Sequence, residues 1–306
     1  MTAIRIGTRG SPLALAQAYQ VRDRLRAAHS GLAADAAIEI VVIRTSGDRI
    51  VDRPLAEAGG KGLFTKEIDE AQLAGTVDIA VHSLKDVPTR LPDGLVLACV
   101  PEREDPRDAF LSPIAATPAE LPRGAVVGTA SLRRKAQVLE LRPDLSVVTL
   151  RGNVQTRLKK LEDGAVAATF LAMAGLNRLG VTPPHLTPVS TDVMLPAVAQ
   201  GAIGITCRTD DAHAHALLAP LDHAASHDAV LAERAFLAVL DGSCRTPIAG
   251  LAEIDGDRLR FRGRLLENDG RKAYAAAAEG PRSDAIAIGH HAGVDIGKRL
   301  GRRGLD

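Results

Sequence analysis

A cluster of basic side chains lies in the middle of an otherwise neutral sequence. Residues 127–160 include eight basic and two acidic residues, whereas the formal net charge of all 306 residues is only +1. Arg133 and Arg134 follow a helix start at Ser131, and Arg151 precedes a second helix start. Guanidinium groups beside the exposed N–H groups of a helix start bind carboxylate or phosphate. The pattern therefore predicts a site for a polyanion.

Two further residues have side chains suited to chemistry. Asp86 follows the apolar strand at 77–82, at the strand end where open α/β sheets bind ligands. Flanked by Lys85, it would stay ionised and could stabilise a developing positive charge, although a loop-capping Asp is the alternative. Cys244 lies on a loop bounded by Gly and Pro, where Arg245 would favour the thiolate. The local sequence fits an idle loop cysteine equally well.

Other chemically interesting residues have plainer interpretations. Cys99 and Cys207 lie in apolar strands and are expected in the core. Lys61, between glycines, is either a mobile anion contact or a solubilising loop residue. The histidine pairs at 213/215 and 290/291 are expected on the surface, and no metal site is expected.

The elements that must position these residues alternate between strand and helix. Strands at 4–8, 38–43, 77–82 and 95–100 alternate with helices and predict an α/β sheet with mostly parallel strands. The charged segment 101–106 is a candidate crossover. It leads to a second α/β block, with strands at 125–128, 146–150 and 165–171 and helices at 131–141, 154–161 and 172–179.

The last third of the chain has a different pattern. Prolines between 183 and 196 mark a return linker, and the apolar strand 202–207 could rejoin the first sheet. A long helix at 224–240 precedes segments joined by Asp-Gly turns at 255–256 and 269–270. These indicate an antiparallel hairpin set closed by a helix near 284–300.

Composition excludes several classes of protein. Aromatic residues make up 2% of the chain and Trp is absent, which disfavours single-stranded nucleic acid as a partner. The near-zero net charge disfavours a general duplex binder. No apolar run reaches transmembrane length, and the first residues resemble a strand, so we expect a cytoplasmic protein without a membrane partner.

Ordered motifs along nearly the whole chain resemble those of the porphobilinogen deaminase (hydroxymethylbilane synthase) family. The run at 233–249, Glu-Arg-Ala-Phe-Leu-Ala-Val-Leu-Asp-Gly-Ser-Cys-Arg-Thr-Pro-Ile-Ala, is similar to the family's cofactor-attachment signature. The other matching motifs are at 8–15, 59–64, 82–88, 102–108, 131–134, 150–157 and 195–202.

The resemblance implies a fold of three domains with the active-site cleft between the first two. We expect two α/β domains like those of periplasmic binding proteins, plus a smaller α+β C-terminal domain with a three-stranded antiparallel sheet. Domain 1 is expected to comprise residues 1–100 and 200–219, domain 2 residues 101–199, and domain 3 residues 220–306.

The resemblance also implies a reaction. The family joins four porphobilinogen molecules into linear hydroxymethylbilane, with loss of ammonia, on a dipyrromethane cofactor held by a cysteine thioether. Asp86 matches the catalytic carboxylate and also a cofactor contact, and Cys244 matches the anchoring thiol. Further cofactor contacts are implied at Ser83, Lys85, Thr129, Ser131, Arg133, Arg134, Arg151 and Gly152. Substrate contacts are implied at Arg9, Ser11, Phe64, Arg157 and Gln200.

Two departures and two alternatives accompany this assignment. Ala130 and Ala167 stand where the family commonly has Ser and Asp, which affects the fine geometry of the site. A pure binding module needs neither Cys244 nor Asp86, and a nucleic-acid binder conflicts with the composition. We therefore expect a monomeric enzyme whose partner is porphobilinogen.

Overall fold

A computed structural model describes residues 3–49, 62–240 and 246–301. Cys244 and Lys61 lie outside these ranges. The strands are β1 Ile4–Thr8, β2 Ile38–Val42, β3 Ile79–Ser83, β4 Leu95–Cys99, β5 Asp108–Leu111, β6 Val126–Gly128, β7 Ser146–Val148, β8 Ala168–Ala172, β9 Leu186–Pro188, β10 Ile203–Arg208, β11 Ile248–Asp255, β12 Arg258–Leu266 and β13 Ala273–Pro281.

The helices of the described ranges lie close to predicted positions, except those at 46–49 and 212–218, which were not predicted. They are α1 Pro12–Ala28, α2 Ser46–Arg49, α3 Lys66–Leu73, α4 Leu132–Leu141, α5 Val154–Glu162, α6 Met173–Leu179, α7 Ala212–Leu218, α8 Ala224–Val239 and α9 Ala285–Arg299. A short 3-10 turn, Leu84–Asp86, follows β3 directly. Within the described ranges, no helix is long and apolar enough to cross a membrane.

The chain forms two compact units. The first comprises Met1–Glu104 and Ala202–His227, and the second Asp105–Gly201 and Asp228–Asp306. The chain leaves the first unit inside the charged segment that was predicted as a crossover. The division into three domains with the boundaries expected from the resemblance stays a prediction.

The first unit contains a five-stranded sheet in the order β2-β1-β3-β10-β4. β1 pairs in parallel with β2 and β3, and β10 is antiparallel to β3 and β4. β10 thus rejoins the first sheet, as the sequence analysis allowed. Helix α1 packs one apolar face on this sheet, since Ala18, Val21 and Leu25 are fully buried in the same core.

The second unit repeats this strand pattern in the order β7-β6-β8-β5-β9, with β5 antiparallel to both neighbours. In each sheet four strands run one way and one runs the other, so the prediction of mostly parallel strands is confirmed. β10 and β5 both follow the passage of the chain into their unit, where no helical crossover imposes a parallel direction. β9 lies within the proline-rich segment that was predicted as a linker, and that prediction is wrong there.

A third sheet, in the order β11-β12-β13, is antiparallel throughout. Both predicted Asp-Gly turns are present, with Gly256 and Gly270 at φ of 57° and 73°. Helices α8 and α9 accompany this sheet, and Phe236 of α8 lies 4.9 Å from Phe261 between ring centroids. The predicted three-stranded antiparallel sheet is confirmed.

Candidate active site

A polar cavity lies at the carboxyl ends of β1 and β3 in the first unit. Its volume of about 70 Å³ is smaller than that of typical small-molecule sites, about 300–1,000 Å³, so it accommodates part of a ligand rather than a whole one. The structure brings five predicted site residues together here. The lining residues are Arg9, Ser11, Leu13, Ala14, Gln17, Phe64, Thr65, Val81, His82, Ser83 and Asp86.

Local sequence explains how these side chains reach the cavity. Ser11 caps helix α1, with its Oγ 3.3 Å from the Ala14 N–H donor. Asp86 ends the 3-10 turn after β3, which the Val87 N–H closes by donating to the Leu84 carbonyl at 3.1 Å. The Asp86 carboxylate is half-buried and accepts no side-chain hydrogen bond from the described residues. It is therefore available to a ligand. Lys85 lies in the same turn but does not line the cavity.

Arg9 is held from two sides. Its Nε donates to Asp48 at 3.2 Å, its Nη2 also contacts that carboxylate, and its Cζ lies 4.1 Å from the centroid of the Phe64 ring. Burial opposes ionisation of Asp48, but hydrogen bonds from Arg9 and Thr45 hold its pKa below the ordinary value. Arg9 and Phe64 thus occupy fixed positions on the cavity wall, and their role as substrate contacts stays a prediction.

Gln17 and His82 are polar lining residues that were not predicted as site residues, whereas Ser83 was predicted. The Gln17 side-chain amide lies against the Ser83 hydroxyl, with Nε2 at 2.9 Å and Oε1 at 3.0 Å from Ser83 Oγ. Gln17 is a polar residue on the apolar face of α1, which is the signal that could have identified it. His82 is only 6% exposed, and burial together with the positive charge of Arg9 lowers its pKa to about 4. A histidine inside an apolar strand was the corresponding signal.

In the second unit, two of the predicted arginines have an internal partner. Asp108, which is fully buried, accepts hydrogen bonds from Arg133 at 2.7 and 3.1 Å and from Arg134 at 3.1 and 2.7 Å. Burial alone would raise the pKa of Asp108, but the two guanidinium groups hold it well below the ordinary range. Both arginines are only 5% exposed. Their assignment to cofactor carboxylates stays a prediction.

This buried cluster contains two cations and one anion, so it keeps an excess positive charge. The Arg133 Nε is buried and has no hydrogen-bond partner among the described residues. Gln200 completes the cluster, because its Nε2 donates to Asp108 at 2.9 Å and to the Pro106 carbonyl at 2.8 Å. Asp108 was not predicted, and it begins an apolar strand whose pairing only the fold reveals.

The remaining predicted residues of the second unit lie at two helix starts. Ser131 caps α4, and its N–H donates to Thr129 Oγ1 at 3.1 Å. At the start of α5, Arg157 Nε donates to the Gly152 carbonyl at 2.8 Å, and Lys160 Nζ donates to the Arg151 carbonyl at 3.2 Å. The structure thus places Arg151, Gly152 and Arg157 together.

Gly152 has a structural reason of its own to be glycine. Its φ of 122° is in the region that favours glycine, and a Cβ there would lie 2.6 Å from Thr156 Cγ2. The backbone at this helix start can therefore approach a ligand without a side chain in the way.

Most of the other candidates lie where the sequence predicted them, but His215 is half-buried, with its Nε2 3.6 Å from the Cys207 Sγ. Cys99 and Cys207 are fully buried free thiols, and burial raises their pKa to about 12 and about 11. His213, His290 and His291 are exposed. Within the described ranges, no group of three His, Cys, Asp or Glu residues is arranged to hold a metal ion.

The fold and these surfaces define a class: two α/β units, each built on a five-stranded sheet with one antiparallel strand, with polar and basic residues at strand and helix ends. The family model for the porphobilinogen deaminase dipyromethane cofactor binding domain matches residues 4–216, and the model for the C-terminal domain of that enzyme matches residues 228–298. This chain belongs to the porphobilinogen deaminase family. The resemblance inferred from the motifs is confirmed.

Two sequence relatives, both porphobilinogen deaminases, agree with this membership. The porphobilinogen deaminase of Paracoccus denitrificans is 63% identical over 286 residues, covering 94% of this chain and 91% of the relative. The chloroplastic porphobilinogen deaminase of Oryza sativa is 56% identical over 301 residues, covering 98% and 84%. A solved periplasmic binding protein from Brucella ovis, with glutathione bound, is similar over 78% of this chain and 69% of its own, at 14% identity and a TM-score of 0.42.

Membership confirms that the chain is an enzyme, a transferase of tetrapyrrole biosynthesis that uses a dipyrromethane cofactor. The described residues fit such a polycarboxylate. The buried cluster of the second unit has excess positive charge and an unpartnered guanidinium N–H, and the start of α5 adds two more arginines. Anchoring by Cys244 stays a prediction outside the described residues.

Proposed function

We propose that this chain is a hydroxymethylbilane synthase, which joins four porphobilinogen molecules into the linear tetrapyrrole hydroxymethylbilane with release of ammonia. One observation carries the proposal. The half-buried Asp86 carboxylate shares a cavity with Arg9, Ser11 and Ser83, and none of the described side chains neutralises it. A free carboxylate beside groups that bind anions suits a substrate that has both acidic groups and an N–H group that becomes positive.

Asp86 acts on the reacting ring. When the bond between the aminomethyl carbon and nitrogen breaks, the electron pair leaves on ammonia and positive charge develops on the pyrrole. A carboxylate that accepts the ring N–H stabilises that charge, and it can also help to remove the α-carbon proton after the next bond forms. In a partly buried site this stabilisation is stronger than in water.

The other predicted residues hold carboxylates. Arg9 and Ser11 of the first unit, with Phe64 over the Arg9 guanidinium, are assigned to substrate, as are Arg157 and Gln200 of the second unit. The residues that would hold the cofactor are Ser83, Lys85, Asp86, Thr129, Ser131, Arg133, Arg134, Arg151 and Gly152, with Cys244 as its covalent anchor. When bound, the cofactor supplies the pyrrole carbon to which the first substrate is joined, and its tether keeps the chain at high effective concentration.

The proposal is tested by Asp86→Asn, which keeps the shape of the side chain and removes its charge. We expect holoenzyme that carries the cofactor but converts porphobilinogen at least about 100-fold more slowly, the scale of a positioned acid–base group. Asp93→Asn, an exposed position in the same unit, is the matched control and should keep the parental rate. Normal turnover by cofactor-bearing Asp86→Asn protein would contradict the role, and a parent protein that forms no hydroxymethylbilane would contradict the function.

We also propose that the enzyme acts as a monomer in the cytoplasm. The catalytic carboxylate and all the predicted anion-binding residues come from one chain. Buried free thiols, as at Cys99 and Cys207, are common in proteins of reducing compartments. Sedimentation of the holoenzyme at assay concentration tests the monomer.

A further inference from the structure

One buried polar atom in the cavity of the first unit has no role in the site described so far. His82 lies on β3, four residues before Asp86, and is one of the residues that line the cavity. Its side chain is 94% buried, as its exposed fraction is 6%. Its Nε2 is buried and has no hydrogen-bond partner among the described residues.

An unpartnered polar atom in such a place is costly, because it loses its hydrogen bond to water and gains none in return. The same unit satisfies another histidine in the ordinary way, since His29 Nε2 lies 2.9 Å from the Leu217 carbonyl oxygen. Asp69 Oδ1 of the same unit also lacks a partner among the described residues, so it is the position of His82 on the cavity wall that points to a ligand.

Three of the polar residues that line the cavity with His82 are already engaged. The Arg9 guanidinium is bonded to Asp48, and Gln17 and Ser83 are bonded to each other. Among the described lining residues, His82 Nε2 and the Asp86 carboxylate keep free hydrogen-bonding capacity, as does the buried hydroxyl of Thr65. Two such groups on one wall can make two-point contact with one small molecule.

The charge around His82 indicates which ligand group it contacts. The charged side chain that acts on it is Arg9, whose positive charge favours an anion and disfavours an ammonium group nearby. The imidazole is neutral at physiological pH, and a neutral imidazole with its proton on Nε2 is a hydrogen-bond donor. Asp86, in contrast, is suited to N–H groups.

We propose that His82 donates a hydrogen bond from Nε2–H to one carboxylate of the porphobilinogen molecule in this cavity and is a specificity-determining residue. The inference rests on the proposed function. A neutral donor has an advantage over a cationic one here, because a further cation would offset the negative charge of Asp86 that the reaction requires. The hydrogen bond from His82 orients the carboxylate and adds no charge to the cavity.

The test uses holoenzyme of the parent, His82→Leu and His82→Gln, each with the cofactor confirmed by intact mass. His213→Gln, an exposed histidine of the same unit, is the matched control. KM for porphobilinogen is measured together with the inhibition constants of two analogues, in which either the acetate or the propionate is replaced by its carboxamide. Nitrogen-15 NMR of labelled histidine reports the tautomer of His82 in the inhibited complex.

We expect His82→Leu to raise KM about 10- to 100-fold, the effect of a lost hydrogen bond to a charged group, and His82→Gln to restore part of the loss. For one of the two carboxamide analogues, the inhibition constants of parent and His82→Leu should agree within about threefold, because that analogue already lacks the carboxylate that His82 contacts. Equal weakening of all three ligands, an unchanged KM, loss of the cofactor, or an unprotonated Nε2 in the complex would overturn the proposal. Absence of turnover in the parent would instead refute the proposed function.

Discussion

Replacing Asp108 by Asn should destabilise the second unit strongly. Asp108 accepts four hydrogen bonds from Arg133 and Arg134, at 2.7–3.1 Å, and one from Gln200 at 2.9 Å. Asparagine has nearly the same shape but no charge, and its amide group would face guanidinium donors. Two buried cations would then lack their counterion.

The size of the effect follows from burial. Removing one partner of a buried ion pair costs about 3–5 kcal/mol, because the remaining charge stays desolvated. Asp108 is 0% exposed and both arginines are 5% exposed, so solvent cannot compensate them. Asp163 is a suitable contrast, since its ion pair with Lys159 is exposed and lies on one helix. Asp163→Asn should change stability by at most about 0.5 kcal/mol.

The assay is urea unfolding of parent, Asp108→Asn and Asp163→Asn protein in the same cofactor state, with intact mass as the check. Because ligand binding stabilises the folded state, the cofactor state must match. The expected result is a much lower midpoint for Asp108→Asn alone. Equal midpoints for the two variants would refute the view that the buried cluster organises this unit.

Two other predictions concern charged side chains, one at Asp69 and one at Arg134 and Arg157. Burial raises the pKa of Asp69 from 3.8 to about 6, so its contribution to stability is present at low pH and is lost as pH rises from about 4 to about 6. Asp69→Asn should therefore become more stable than the parent as pH rises through that window, by up to about 3 kcal/mol. The same difference in melting temperature between variant and parent at pH 4 and at pH 7.5 would contradict this. Arg157→Leu should keep its cofactor but accumulate enzyme with incomplete oligopyrroles after limiting substrate, whereas Arg134→Leu should yield apoprotein; native mass spectra identical to the parent would contradict both.

Much of the fold could be predicted from the sequence because its signals are local. Alternating apolar strands and capped helices such as α1 and α4 depend on spacing and on cap residues. β5 and β9 could not be predicted, because a short strand beside charged or proline-rich segments is stabilised by its sheet neighbours rather than by its own pattern. The antiparallel direction of β10 likewise depends on where the chain enters the unit.

The candidate site was predictable to the extent that it follows helix starts and strand ends. The strand end indicated Asp86, and Ser11 and Ser131 stand at helix starts, where the family resemblance implied ligand contacts. Sequence could not indicate that Arg133 and Arg134 share Asp108, because ion pairing between distant segments depends on the fold. It missed His82 for a related reason, since only burial and the absence of a partner distinguish it from an ordinary core histidine.

The central claim is that this chain builds a tetrapyrrole on a cofactor bound through Cys244, and the intact mass of freshly purified protein tests it most directly. Protein from a host that makes porphobilinogen should be heavier than its sequence by one dipyrromethane. Cys244→Ser should lose that added mass, while Cys99→Ser and Cys207→Ser should keep it. A parent mass equal to the bare sequence, or an added mass that persists in Cys244→Ser, would contradict the account.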